Sequence, residues 1–397
     1  MKERKLPEGW EWKRLGDICK TTSGGTPARN NETYFNGNIP WLKSGELENN
    51  IIYSTEEAIS QEGLKNSSTK IIPKGTPLIA LYGATVGKVG ILGIDCAINQ
   101  AICAVFPSNK IDSLFLFHFL IKSRPKFLDL RAGGAQPNIS QDIVKNIKIP
   151  LPPLPIQRQI VAVLEKAEAV KRQRQEVDAL TGALLQSVFF EMFGDPVRND
   201  KGYPKKKLGD VCLKIQDGTH YSPEDQTGEI PYITAKNIRR WGIDLSTATY
   251  VSKHIHEKIY SRCDPKKGDV IYIKDGVTAG LAKVNKFDFE FSMLSSIAMI
   301  RPDINKLNPF YLEHYLNHPN VYEKIMERKS GSAITRIILR EIREIPMVLP
   351  PLALQQQFAR VVQDVERIRE RQVASGKEIK GLCEGLMQRA FAGELIG

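Results

Sequence analysis

From Ile156 onward, apolar or small residues return in alternating steps of four and three: Ile156, Ile160, Val163, Ala167, Val170, Arg174, Val177, Thr181, Leu184 and Val188. A second series runs Leu354, Phe358, Val361, Val365, Ile368, Gln372, Ser375, Ile379, Leu382 and Leu386. Such steps keep one helical face turned toward a partner, so both series predict coiled-coil helices. Each extends roughly 35 residues, or about 50 Å at 1.5 Å per residue. Prolines precede both, in LPPLP from Leu151 and LPPLA from Leu349. Proline stops a preceding element and suits the first helical turn. Arg174, Gln372 and Ser375 are polar positions expected to fix the register of the seams.

The stretches 10–150 and 203–348 follow another pattern. Segments such as KIIPKGTPLIALYGATVGKVGIL and GDVIYIKDGVTAGLAKV are β-branched runs punctuated by Gly and Pro. They predict short strands joined by turns, with helical pieces at SLFLFHFLIKS and FYLEHYLNH. The expected fold class is α+β.

The chain is also written twice. WKRLGDICK (Trp12 to Lys20) returns as KKKLGDVCLK, GNIPWLK (Gly37 to Lys43) as GEIPYIT, and KGTPLIALYGATVG as KGDVIYIKDGVTAG. FLFHFLI matches FYLEHYLN, GGAQPNIS matches GSAITRII, and IPLPPLPIQRQIV matches MVLPPLALQQQFA, all in the same order. One unit of about 200 residues is therefore present as a tandem duplication. The boundaries read as 1–150 for a first domain, 151–195 for a central helix, 196–348 for a second domain and 349–397 for a C-terminal helix. The first helix ends where the second domain starts, and the second helix begins where that domain ends. Their simplest pairing is an antiparallel coiled coil between two similar globular domains, a dumbbell with pseudo-two-fold symmetry.

Composition narrows the function. Hydrophobic residues make up 42% and charged residues 25%, as in a globular chain rather than a fibrous or disordered one. No run reaches the roughly 18 apolar residues of a membrane span, and the N-terminus lacks the apolar core of a signal peptide. No membrane association and a cytoplasmic location are expected. The six cysteines lack metal-type spacing and read as reduced packed thiols. Against 45 Asp+Glu stand 56 Lys+Arg, a net charge of +11 that suits a polyanionic partner.

Catalytic constellations are hard to find. Gly83 to Lys88 resembles a phosphate loop, but it has three residues between the glycines and Val89 where Ser or Thr would hold magnesium. It reads better as a turn between strands. His254 with His256, and His314 with His318, lack the companions of a metal site, so no metal is expected. Asp264, Asp269 and Asp275 near lysines are too loose a pattern for a nuclease. An Asn/Asp-Pro-Pro-aromatic segment of the amino-methyltransferase kind is absent.

Polar glycine-rich loops remain. In the first copy the candidate DNA contacts are Thr22, Ser23, Thr26, Lys43, Ser44, Tyr82, Thr85, Lys88, Arg131, Gln136 and Asn138. In the second they are Thr219, His220, Tyr221, Lys236, Asn237, Arg239, Arg240, Lys274, Thr278, Arg328, Lys329, Thr335 and Arg336. Arg and Lys pair with guanine, Asn and Gln with adenine, Ser and Thr with either, and cations with phosphate. The two loop sets differ where the frameworks agree, as expected of two readers of different sequences. Two other classes stay open: a protein-binding adaptor without DNA readout, and an enzyme with an unfamiliar site.

The repeated Leu-Pro-Pro-Leu followed by Gln157 or Gln355, the domain–helix alternation, and the helix ends LLQSVFFEMFGD and LMQRAFAGEL resemble one family. It is the DNA specificity (S) subunit of type I restriction–modification systems, and the resemblance covers nearly the whole chain. It implies two target-recognition domains, each reading half of an asymmetric split DNA site across a spacer. It also implies no catalysis and no cofactor in this chain. Double-stranded DNA, two methylation (M) subunits and two restriction (R) subunits are the implied partners. The subunits would dock largely on the helices, where Gln157, Gln159, Phe189, Phe193, Gln355, Gln357 and Phe391 are the candidate contacts.

Overall fold

The computed structural model describes residues 5–130, 138–223, 228–327 and 336–396. Two compact units make up the chain, Met1–Gln175 with Ala374–Gly397, and Glu176–Val373.

In the first unit a five-stranded sheet runs in the order Cys19–Ser23, Ile102–Pro107, Pro77–Ala80, Val89–Leu92, Asn50–Ile52. A second sheet runs Glu57–Ile59, Ile39–Leu42, Cys96–Ile98, Ile71–Ile72. Strands Pro77–Ala80 and Val89–Leu92 are buried along their whole length, which is why their sequence is continuously apolar instead of alternating. The helix Ser113–Asp129 lays Phe115, Phe119, Leu120 and Phe127 into the same core as Ile79, Val89 and Val105. Asp112 caps it, its side chain accepting from the Leu114 and Phe115 backbone N–H groups.

The second unit repeats the plan. A four-stranded sheet runs Cys212–Asp217, Ile297–Pro302, Val270–Ile273, Ala282–Val284. A three-stranded sheet runs Thr249–Val251, Ile230–Ile233, Ser292–Met293. Helix Pro309–Leu316 takes the place of Ser113–Asp129 and is capped by Asn308. In each unit a short antiparallel ladder closes the domain just before its long helix: Glu11–Arg14 with Lys148–Leu151, and Lys205–Lys207 with Pro346–Val348.

The central helix spans Leu154–Phe193 and the C-terminal helix Leu352–Ala390. They pack together antiparallel, because within each unit the start of one meets the end of the other. In the first unit Ile160, Val161 and Leu164 share a core with Ala390 and Phe391, and Phe391 packs on Phe115 at a centroid separation of 5.0 Å. In the second, Phe189 and Phe193 lie edge-on to Phe358 at 5.5 and 5.4 Å. Gln372 Nε2 donates to Thr181 Oγ1 at 2.9 Å, and Arg369 donates to the Thr181 carbonyl at 3.2 Å.

The seam itself differs from the sequence reading. Val170, Val177, Leu184, Ile368 and Leu382 are exposed. One covered stripe of the central helix runs through Gln157, Ile160, Leu164, Ala167, Lys171, Arg174, Thr181, Leu185, Val188 and Met192. Val161, Phe189 and Phe193 beside it are buried, while the predicted Ile156 and Val163 are partly covered. The matching stripe of the C-terminal helix runs through Gln355, Phe358, Val362, Val365, Arg369, Gln372, Gly376, Ile379, Cys383, Leu386 and Ala390. Ala359 is buried beside it, and the predicted Leu354, Val361 and Ser375 are partly covered. The steps of three and four survive, but parts of the stripe move by one residue. Val163 and Leu164, or Leu184 and Leu185, are adjacent apolar pairs, so spacing alone does not choose between them. Packing against the domain does.

Candidate nucleic-acid interface

In each unit the loops singled out from sequence meet at one turn. In the first unit it is Asn99–Ala101, between strands Cys96–Ile98 and Ile102–Pro107. Gly25 donates to the Ile98 carbonyl at 3.0 Å, Asn99 to Leu42 at 2.9 Å, and Leu81 to Ala101 at 2.7 Å. Ile139 donates to Leu81 at 2.7 Å, and Tyr82 and Asn138 form an isolated bridge. The Thr26 hydroxyl bonds the Gln100 carboxamide on the same turn. Four separate loops are thereby fixed by backbone bonds that do not depend on their side chains.

The second unit has the same joints around Leu294–Ile297. Thr219 donates to Met293 at 2.8 Å, Leu294 to Ile233 at 3.0 Å, Lys274 to Ser296 at 3.0 Å, and Ile337 to Lys274 at 2.7 Å. Asp275 bridges Arg336 as Tyr82 bridges Asn138. Close approach explains two glycines: a Cβ on Gly24 would meet the Ile98 carbonyl at 1.8 Å, and on Gly218 the Met293 carbonyl at 1.9 Å.

Not every candidate side chain faces outward. Lys274 is buried, its Nζ 3.6 Å from Asp217 and 3.4 Å from Asp275. Asp217 in turn binds Arg262 at 2.8 Å. A buried charge needs partners, so Lys274 neutralises the loop base and is not a groove contact. Asn237 is also interior; its Oδ1 accepts from Thr234 N–H at 2.9 Å and its Nδ2 donates to the Asp244 carbonyl at 3.2 Å. Ser23 accepts from Gln141 Nε2 at 2.8 Å. Lys88 is paired with Glu48 at 2.7 Å. Lys43 contacts Glu56 and Glu57 at 2.8 and 2.9 Å, and these hydrogen bonds hold its ammonium above the ordinary lysine range.

His220, Tyr221, Lys236, Arg239, Arg240, Thr278, Arg336 and Asn138 are exposed, while Thr22, Thr26, Ser44, Tyr82, Thr85 and Thr219 are partly covered. Arg131, Gln136, Arg328, Lys329 and Thr335 lie outside the described residues. The sequence reading missed the two joint turns, whose signal was only a polar break between apolar strands. It also missed Arg29, stacked over Phe35 and Trp41 with centroid distances of 4.4 and 5.0 Å.

Five helix candidates are corrected. Gln157, Phe189, Phe193, Gln355 and Phe391 are buried inside their own units and present no docking surface there; Gln159 and Gln357 are exposed. The carboxylates weighed as a nuclease pattern are structural as well. Arg301 holds Asp269 at 2.9 Å and Asp264 at 3.2 Å. Burial would raise the Asp264 carboxyl, but Lys214 and Arg301 outweigh it and hold it below its usual range. The Gly83–Lys88 segment is a turn between strands, with Gly83 and Gly87 at φ of 86° and 74°.

The family described as type I restriction modification DNA specificity domain matches residues 7–179 and 200–375. The chain belongs to the specificity subunits of type I restriction–modification systems. Among these subunits, that of the type I restriction enzyme MjaIX from Methanocaldococcus jannaschii is 26% identical over 98% of this chain and 94% of its own. The specificity subunit of EcoR124I/EcoR124II from Escherichia coli is 33% identical over 40% of this chain and 41% of its own. The fold recurs in a chain from a study of complex assembly and conformational transition of a type I system. That chain has a TM-score of 0.65 and 23% identity, with 99% of this chain and 100% of that one covered. It recurs also in the S subunit from M. genitalium, with a TM-score of 0.58, 14% identity and 98% coverage of both. As a type I specificity subunit, the chain carries two matches to one domain family, in agreement with its internal duplication. Among the described residues, no helix is long and apolar enough to cross a membrane.

Proposed function

We propose that this specificity subunit reads an asymmetric, bipartite double-stranded DNA site, with the domains 1–150 and 196–348 each taking one half. The observation that carries the reading is the pair of joints around Asn99–Ala101 and Leu294–Ile297. Identical backbone bonds hold four loops in each unit, while the side chains on those loops differ. One frame with two sets of side chains supports two different half-sites. The paired helices, one following each domain in the chain, act as the spacer that fixes the separation of the half-sites.

The subunit contributes specificity and no chemistry. Several of its buried or half-buried titratable groups are engaged in structural pairs: His118 with Glu165 at 2.9 Å, His256 with Ser292 and Glu290 at 3.0 and 3.1 Å, and Arg301 with its two aspartates. Two methylation subunits and two restriction subunits supply methyl transfer and cleavage. Co-expressing the chain with its methylation subunit and sequencing the methylated sites tests this. A split motif with two unlike halves is expected, and replacing residues 10–150 by the matching domain of a relative should change one half alone. Methyl transfer by the purified chain without a methylation subunit, or a change in both halves, would overturn it.

A further inference from the structure

The second unit carries an arm that the first lacks. Strands Ile238–Arg239 and Gly242–Ile243 pair antiparallel, leaving Arg240 and Trp241 as a two-residue turn. Trp241 is 72% exposed, and Arg239 and Arg240 beside it are exposed too. An indole is the largest apolar surface a side chain can offer, and leaving it in water at a tip is unfavourable unless a partner covers it.

The arm stands on a fixed base. Ile238 is buried in the same core as Ile273 and Phe291, with Ile243 and Leu281 packed beside it. Asn237 closes the base: its carbonyl accepts from Asp244 N–H at 2.7 Å while its side chain donates back to the Asp244 carbonyl. Ala235, three residues before Ile238, donates to Ser296 Oγ at 3.4 Å, on the turn where the other loops meet. The first unit treats the matching segment differently. There Asn49 N–H donates to the Val89 carbonyl at 2.8 Å, Asn49 Oδ1 accepts from Val89 N–H at 3.1 Å, and Glu48 is tied to Lys88. That turn is folded onto the sheet and carries a carboxylate.

We propose that Trp241 is a base-stacking wedge, inserted by the hairpin into the duplex beside the second half-site, with Arg239 and Arg240 on the flanking phosphates. The proposal rests on the DNA-reading role given above. Two arginines at the tip favour a polyanion over a protein surface, and an indole face stacks on any base without sequence preference. The wedge would therefore add affinity and local unstacking without adding sequence information, and it would act on one side of the site only.

The test uses the full-length chain with its methylation subunit on duplexes carrying 2-aminopurine at successive positions in and around the second half-site. The wild-type complex should raise fluorescence at one or two adjacent positions, and Trp241→Phe should keep part of that signal. Trp241→Ala should abolish it and weaken binding about 5- to 140-fold, with the recognised sequence unchanged. Arg239→Ala and Arg240→Ala should each lower the salt slope by about one. Binding within twofold of wild type together with no position-dependent fluorescence would overturn the wedge. So would a Trp241→Ala variant that loses the methylation subunit while the remaining complex binds DNA normally, which would assign the tip to a protein. Absence of any sequence-specific binding by the wild-type complex would instead remove the DNA-reading role itself.

Discussion

The Asp112 backbone N–H donates to Gln157 Oε1 at 2.8 Å, which ties the start of the central helix to the cap of helix Ser113–Asp129. The same Gln157 donates from Nε2 to the Lys110 and Pro152 carbonyls at 2.9 and 2.8 Å, so a fully buried carboxamide has a partner on both sides. Gln355 repeats the arrangement with Asn308 N–H at 2.9 Å and the Lys306 and Pro350 carbonyls at 3.1 and 2.8 Å. The glutamine after each Leu-Pro-Pro-Leu is thus a latch between helix and domain.

Removing the latch should leave three backbone groups without their partner, one of them buried and the others at least partly covered by the glutamine. Gln157→Leu and Gln355→Leu are each expected to destabilise the chain by about 2–4 kcal/mol, since each buried unsatisfied group costs about 1–3 kcal/mol before relaxation. Gln157→Glu should cost at least as much, because a carboxylate cannot donate to two carbonyls. Urea unfolding of the variants measures both, and values under about 0.5 kcal/mol would remove the latch from the account.

His314 gives a pH signature. Burial pushes its imidazole down to about 4, from an unfolded value near 6.5. The unfolded chain therefore binds the proton more readily. The contribution of this group to stability is fully present above about pH 6.5 and is lost as pH falls toward 4, by about 3 kcal/mol in all. His314→Phe should flatten that part of the stability profile between pH 4 and 6.5. An unchanged slope in chemical denaturation across that window would contradict it.

Gly24→Ala and Gly218→Ala should disrupt the loop joints, because each new methyl would overlap a carbonyl oxygen of the neighbouring strand. A destabilisation of about 2 kcal/mol or more is expected for each, with the loss confined to the half-site of the altered domain in a methylated-site map. Gly45→Ala, which meets open space, is the control.

Arg336 should read a base. Arg336→Ala is expected to cost about 1–3 kcal/mol on the cognate site and to relax one position of the second half-site. A uniform loss on all sequences with a smaller salt slope would make it a phosphate contact.

The helices predict a ruler. Inserting seven residues in each keeps the seam in phase and lengthens the pair by about 10 Å, or about three base pairs of spacer. The half-sites should not change. Four residues inserted in one helix alone should break the seam and unfold it. An active complex with an unaltered spacer would refute the ruler.

The sequence by itself determined what depends on order and period. The duplication, the 3–4 rhythm of both long helices and the loops bracketed by strands follow from residue types along the chain, because backbone geometry converts such patterns directly into elements. Tertiary structure decided which side of each element is covered. Leu185 rather than Leu184 turns inward because the domain packs on that stripe, and Leu164 is buried more deeply than the partly covered Val163. Lys274 and Asn237 look like surface loop residues in sequence, yet Asp217 and the Asp244 carbonyl draw them inside. Trp241 looks like a core residue, yet a two-residue turn holds it in solvent. Each of these depends on atoms far away in sequence, and burial is a property of what lies across the core rather than of the local pattern.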